Sequence, residues 1–324
     1  MLTIQDQAQM SRAHLDELLS QGQYLDEGAF GIVWRVPWGK GHAILKTMKA
    51  ISAKAFRTEL FIMERLNGAG GAPRLLAVCY EPRAIVMSSR GELTLSDAME
   101  EDLPDWHRIY IVLKVGQCLR ELHERGVIHN DIHARNVRVT LSPWKLPQVF
   151  LIDFGLSTLS QDALSTLSQE TRSVLELKKN LTYSRDVKFL GRMLLNIFDI
   201  IEIRFDSIKE IIAMTWTGMC EPAPLDDILL KLNSVLANDF KINLSTMHDP
   251  ESPVTTPDLS TKKDPVHTPD ISAMHGPKDI AALEKVQCRA TKIIQELSQT
   301  HVSGTVKGYR INNSANQARQ SGSH

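Results

Sequence analysis

Two carboxylates and one amide carry most of the chemistry open to this chain. Asp131 and Asn136 lie five residues apart in His129-Asn130-Asp131-Ile132-His133-Ala134-Arg135-Asn136, and Asp153 opens Asp153-Phe154-Gly155 seventeen residues after Asn136. A carboxylate can accept the proton of an attacking hydroxyl. A second carboxylate and an amide can hold the magnesium ions that neutralise a triphosphate, and those are the groups that γ-phosphoryl transfer needs. An Asp-Phe-Gly tripeptide alone carries little weight, because Asp and Gly gather in turns of every kind.

The elements that must position these groups are legible on either side of them. Val149-Phe150-Leu151-Ile152 is an apolar run that reads as a buried strand delivering Asp153 to its C-terminal end. Ahead of Asp131, Trp106 to Arg125 places Ile109, Ile111, Val112, Val115, Leu119 and Leu122 on an amphipathic helix. Further upstream, Leu25 to Arg35 reads as a strand, a glycine turn and a second strand, which an ordinary β-hairpin would also explain. Ala43-Ile44-Leu45-Lys46 is a short apolar strand ending in a lysine, and Lys49 is a rival cation close by. Phe56, Leu60, Met63 and Leu66 form a helical stripe that Glu59 borders, and Ala84-Ile85-Val86-Met87 is a buried strand running into the polar break Ser88-Ser89-Arg90-Gly91.

In this order and spacing the segments resemble the protein kinase family, whose catalytic loop reads H-R-D-x-x-x-x-N and whose magnesium loop reads D-F-G. The resemblance implies an α+β bilobal fold, with a small β-rich N-lobe carrying one long helix and a larger, mostly helical C-lobe. It implies ATP and Mg2+ as cofactors, Asp131 as base, and Asn136 and Asp153 on the metals. Lys46, oriented by Glu59, would contact the α- and β-phosphates. Gly28, Ala29, Phe30, Gly31 and Val33 would form the phosphate-covering loop, where missing Cβ atoms let backbone N–H groups approach. Ile44, Met87, Ser89 and Arg138 would line the adenine slot. Asp186, opening Asp186-Val187-Lys188-Phe189-Leu190-Gly191, would tie down the catalytic loop, although a helix N-terminal acid favoured by the dipole is an equal reading.

The pattern also departs from the family. Asp26 stands where the first glycine of the loop is expected, Ile44 where an alanine roof is expected, and Arg138 where an aliphatic floor is expected. Asn130 replaces the arginine that pairs a phosphorylated activation loop, which argues against activation by that route. His133 takes the place of a phosphate-contacting lysine; His129 and His133 do not complete a metal motif. Leu156 to Ala163 is nearly repeated by Leu164 to Thr171, and no A-P-E follows. A protein kinase acting on a Ser/Thr or Tyr hydroxyl is therefore the favoured expectation. A kinase-like small-molecule phosphotransferase and a pseudokinase scaffold are the alternatives.

Whole-chain properties bound the rest. At 324 residues and 43% hydrophobic content the chain can bury two lobes and still carry a tail. A formal net charge of −1 favours neither nucleic acid nor an anionic membrane as partner, so a protein substrate is the expected one. Four scattered cysteines without a C-x-x-C pair suit a reducing compartment. The first twenty residues lack the apolar stretch of a secretory signal, so a cytoplasmic location, with the nucleus as alternative, is expected. The expected organisation is an extension over 1–18, an N-lobe over 19–88, a C-lobe over 89–245, a disordered Pro/Thr/Ser linker over 246–278, an amphipathic helix over 279–300 and a disordered tail over 301–324. The linker contains Thr-Pro-Asp-Leu-Ser at 256 and Thr-Pro-Asp-Ile-Ser at 268. Leu283 to Ile294 resembles a segment near the C-terminus of retrotransposon reverse transcriptases.

Overall fold

The computed structural model describes residues 8–28, 31–49, 52–142, 145–175, 181–202, 205–216 and 221–247. The expected linker, C-terminal helix and tail, apart from residues 246 and 247, lie outside the described residues, as do Ala29 and Phe30 of the glycine turn.

The N-lobe opens with β1 (Ala8–Gln9) and α1 (Arg12–Ser20), followed by β2 (Gln23–Glu27), β3 (Gly31–Trp38) and β4 (Gly41–Met48). Then come α2 (Ala53–Leu66), β5 (Leu75–Tyr80) and β6 (Arg83–Ser88). The six strands form one sheet in the order β1-β5-β6-β4-β3-β2. Residues 8–18, expected as an extension, are thus built into the lobe: β1 pairs in parallel with β5, and α1 buries Leu15 and Leu18.

Strand alternation divides the sheet into two faces. Ala43 and Leu45 of β4 join Ala84 and Val86 of β6 in a core shared with Leu15 and Leu18. Ile85, Phe56, Leu60 and Met63 join the larger core that continues into the C-lobe. Lys46, one step from Leu45, is therefore delivered to the face that α2 covers. The α2 helix starts at Ser52, whose side chain accepts the Ala55 N–H, and stops at Asn67, whose φ of 44° is left-handed.

The C-lobe contains β7 (Leu93–Thr94), α3 (Leu95–Glu100), α4 (Asp105–Glu124), β8 (Val127–Ile128), β9 (Val137–Ser142), β10 (Lys145–Leu151) and β11 (Thr158–Leu159). After these come α5 (Gln161–Ser165), α6 (Gln169–Val174), α7 (Ser184–Ile200), α8 (Asp206–Thr215) and α9 (Leu225–Ser234). A π-helical turn at Val235–Asp239 and a 3-10 turn at Leu244–Thr246 follow. The central helix α4 buries all six apolar residues of the stripe noted above, each contributing about 1.5–3 kcal/mol on removal from water. Gly116 lets α9 approach it, since a Cβ there would lie 2.6 Å from Leu229 Cδ2. The architecture is the expected bilobal α+β fold, and no described helix is long and apolar enough to cross a membrane.

Candidate active site

Strand β4, helix α2 and the turn after β10 bring three charged side chains together. The Lys46 ammonium donates to Glu59 Oε1 at 2.8 Å and to Asp153 Oδ1 at 2.8 Å. Lys46 and Glu59 are buried, and the Asp153 side chain is 36% exposed. Burial alone would lower the Lys46 pKa; the charges of Glu59 and Asp153 outweigh it and raise it above the ordinary lysine value. Burial likewise pushes the Asp153 carboxyl up, and the Lys46 ammonium more than reverses that, leaving it below the usual carboxylate value. A Cβ at position 155 would lie 3.4 to 3.6 Å from Asp153, Glu59 and Lys46, in ordinary van der Waals contact with all three. Lys49, the rival lysine, instead pairs with Glu27 at 2.7 Å on the half-open surface.

The loop between β8 and β9 holds Asp131 opposite this cluster. Asn136 Nδ2 donates to Asp131 Oδ2 and to the Asp131 carbonyl, each at 3.0 Å. His133 Nε2 lies 3.6 Å from the same Oδ2. That imidazole, acting against burial, holds the Asp131 carboxyl below its ordinary value. The Arg135 N–H points at His133 Nδ1 at 3.3 Å, which leaves the ring proton on Nε2, facing the carboxylate. Oδ2 is thus engaged twice, while Oδ1 makes no side-chain contact among the described residues.

The loop itself is anchored from below by Asp186 at the start of α7. Its buried carboxylate accepts the N–H groups of His129 at 2.9 Å and Asn130 at 2.8 Å, and it lies 3.0 Å from His123 Nε2. The dipole reading of Asp186 therefore accounts for little, because three specific contacts fix it. His129 donates from Nε2 to the Ile152 carbonyl and accepts the Asp131 N–H at Nδ1, so a single neutral ring braces both loops. Burial holds that ring neutral against the pull of Asp186 and Asp153. Phe154 is 2% exposed and packs on His129 with ring centroids 5.0 Å apart. Nothing in the sequence spacing marks His123 or Tyr183, yet the Tyr183 hydroxyl donates to the His123 carbonyl and fixes this floor.

Other expected residues take varied positions. Gly28 borders open space, whereas a Cβ on Gly31 would lie 2.3 Å from the Thr47 carbonyl, so Gly31 is required by the close approach of β3 and β4. Val33 pairs with Lys46 across those strands, and Ile44 pairs with Met87 across β4 and β6; both Ile44 and Met87 are half-buried. Ser89 is exposed in the connection between the lobes. Arg138 does not point its guanidinium freely into the cleft: it donates to the Glu92 carbonyl at 2.7 Å and reaches the Gly91 carbonyl at 3.4 Å. Asp26 is exposed and turns its carboxylate back onto the Glu27 N–H at 2.8 Å.

The donor set suits a hard divalent cation. Asp153 offers Oδ2, because Oδ1 is taken by Lys46, and Asn136 offers its amide oxygen, because Nδ2 is taken by Asp131. Among the described residues no group of three or more His, Cys, Asp or Glu forms a cage for a metal by itself. Two oxygen ligands with the remainder from phosphate and water is the arrangement magnesium favours.

Residues 19–178 match the family described as protein tyrosine and serine/threonine kinase. The chain is 28% identical over 147 residues to the probable serine/threonine-protein kinase gdt2 of Dictyostelium discoideum, a match covering 41% of this chain and 9% of that protein. It is 31% identical over 141 residues to tyrosine protein-kinase src-1 of Caenorhabditis elegans, covering 41% of this chain and 26% of that protein. The chain spans only a minor part of the length of these relatives. Through the matched segment, just under half of its length, the chain is similar to protein kinases.

Proposed function

We propose that the chain is an ATP- and magnesium-dependent protein kinase that transfers the γ-phosphoryl group to a protein hydroxyl. What carries the reading is that Lys46 bridges Glu59 and Asp153 while Asn136 orients Asp131, each contact at 3.0 Å or less. In this reading Lys46 binds the α- and β-phosphates and Glu59 orients it. Asp153 and Asn136 hold the magnesium, which supplies neutralisation of the triphosphate charge. Asp131 Oδ1 accepts the proton of the acceptor hydroxyl. The backbone around Gly28 and Gly31 covers the phosphates, and the Arg138 stem with Ile44 and Met87 encloses the base. A mostly apolar slot results, because the guanidinium of Arg138 is spent on the Gly91 and Glu92 carbonyls.

A thermal-shift titration with ATP and magnesium tests nucleotide binding: the wild type gains metal-dependent stability and Asp153→Ala does not. Radiolabelled transfer to a peptide panel, lost in Asp131→Ala, then separates catalysis from binding. Binding without transfer in the wild type would leave a scaffold. Transfer to small hydroxyl compounds and not to peptides would make it a small-molecule phosphotransferase.

A further inference from the structure

Away from the cleft, two guanidinium groups converge behind the connection between the lobes. Gly68, in the turn after α2, has a φ of +92°. A Cβ built there would lie 3.3 Å from Arg74 Nε and 3.7 Å from Arg90 Nη2, so both side chains close on one point. Their backbones are locked together as well. The Arg74 N–H donates to Ser88 Oγ at 2.8 Å, and the Ser88 N–H donates to the Arg74 carbonyl at 2.8 Å. Arg90 lies over the Phe150 ring, 5.7 Å from its centroid, which limits where its fork can turn.

Neither arginine forms an ion pair among the described residues. Arg90 Nε is buried without a hydrogen-bond partner. Burial and the neighbouring charge of Arg74 both weaken the hold of Arg90 on its proton, and no carboxylate offsets them. Two like charges brought together this way repel, and an unpaired buried donor carries a desolvation cost. One bound anion relieves both. A carboxylate brings a single charge, enough for one fork, whereas a phosphoryl group brings up to two charges and three acceptor oxygens, enough for two.

We propose that Arg74 and Arg90 form a binding site for a phosphoryl dianion at the back of the inter-lobe connection. The site lies outside the nucleotide cleft and does not depend on catalysis.

Hydrogen exchange and thermal shift on the full chain test it. The probes are inorganic phosphate and a short phosphoserine peptide, against chloride at equal ionic strength. The expected result is a saturable rise in melting temperature with added protection of the amides in 67–74 and 88–91. Either Arg74→Gln or Arg90→Gln weakens binding at least about tenfold, since a hydrogen bond to a charged group is worth about 1.5–3 kcal/mol. Arg90→Lys keeps the charge but loses the fork, and should retain weakened binding, which guards against a variant that simply misfolds. Tighter binding of the peptide identifies a phosphorylated side chain as the ligand; tighter binding of free phosphate identifies the ion. The proposal is overturned if chloride matches phosphate, if both glutamine variants bind as the wild type does, or if protection appears only around 28–33.

Discussion

Replacing Lys46 with methionine keeps the bulk of the stem and removes the ammonium that two carboxylates share. Glu59, 4% exposed, is then left charged in a low-dielectric interior with its partner gone. Removing one member of a buried pair costs about 3–5 kcal/mol. Asp153 adds little, because at 36% exposure water takes over much of its solvation, and an exposed arm of a salt bridge is worth about 0–1 kcal/mol. In a domain of this size each kcal/mol shifts the melting temperature by about 2–4 °C, so Lys46→Met should melt roughly 6–20 °C lower at neutral pH. Differential scanning calorimetry reads this directly. Adding Glu59→Gln should recover more than half of the loss, because a neutral amide needs no counter-charge. The pH dependence has a fixed sign. Lys46, raised in the folded state, contributes stability that is complete below the ordinary lysine value and is lost as pH rises through its folded value. Asp153, depressed in the folded state, contributes stability present above the ordinary carboxylate value and lost as pH falls through its folded value. A shift under about 2 °C at neutral pH, or a double variant no more stable than the single one, would refute the reasoning.

Asp186→Asn should lower stability by about 1.5–3 kcal/mol in urea unfolding, because an amide nitrogen would now face one of the N–H donors of His129 and Asn130. Transfer activity should fall by roughly 10²-fold, as loop misplacement can cost that much; full activity would mean the anchor does not set Asp131. Gly191→Ala puts a Cβ 1.8 Å from Thr215 Oγ1 and should cost about 1–3 kcal/mol as α7 and α8 are pushed apart, again read by urea. With the Asp131 and Asp153 carboxyls both below their ordinary value, the acid limb of kcat/KM should fall below the ordinary carboxylate range. A limb near neutrality would point to a different base.

Much of this site could be read from the chain because its parts follow local rules. Lys46 ends an apolar strand and Glu59 borders a helical stripe, and the resemblance to kinase segments joins the two as a pair. Asp153 follows, with Ile152 between, a strand that buries Val149 and Leu151 and leaves Phe150 partly exposed. The support beneath them was not legible, since it consists of contacts between residues far apart in sequence. His123 reaches Asp186 across 63 positions, and Tyr183 reaches His123 across 60. Arg138 illustrates the same limit. Its residue type departs from the expected aliphatic floor, and only the carbonyls of Gly91 and Glu92 show where its charge goes. Gly31 was read as a phosphate-loop glycine, and the close approach of Thr47 gives it a packing reason that spacing could not reveal.

The duplicated octapeptide separates local from tertiary causes within one stretch of chain. Each copy places a serine at the start of a short helix, with Ser160 capping α5 through the Ala163 N–H and Ser168 capping α6 through the Thr171 N–H. The first copy is also tied down: Thr158 and Leu159 pair with Ile128 and Val127, and the Ser160 N–H donates to the Gly126 carbonyl. The second copy caps its helix equally well and buries no residue of α6. Local sequence therefore makes the turn, and β8 decides which copy is held. Asn130 adds a further tie. Its φ of 69° is one that Asn accepts more readily than most residues, and its Nδ2 donates to the Leu156 carbonyl at 3.2 Å where the first copy begins. A side chain that cannot pair a phosphate as arginine would thus fastens the segment directly, so the segment after Asp153 is held beside the catalytic loop by hydrogen bonds present in the unmodified chain.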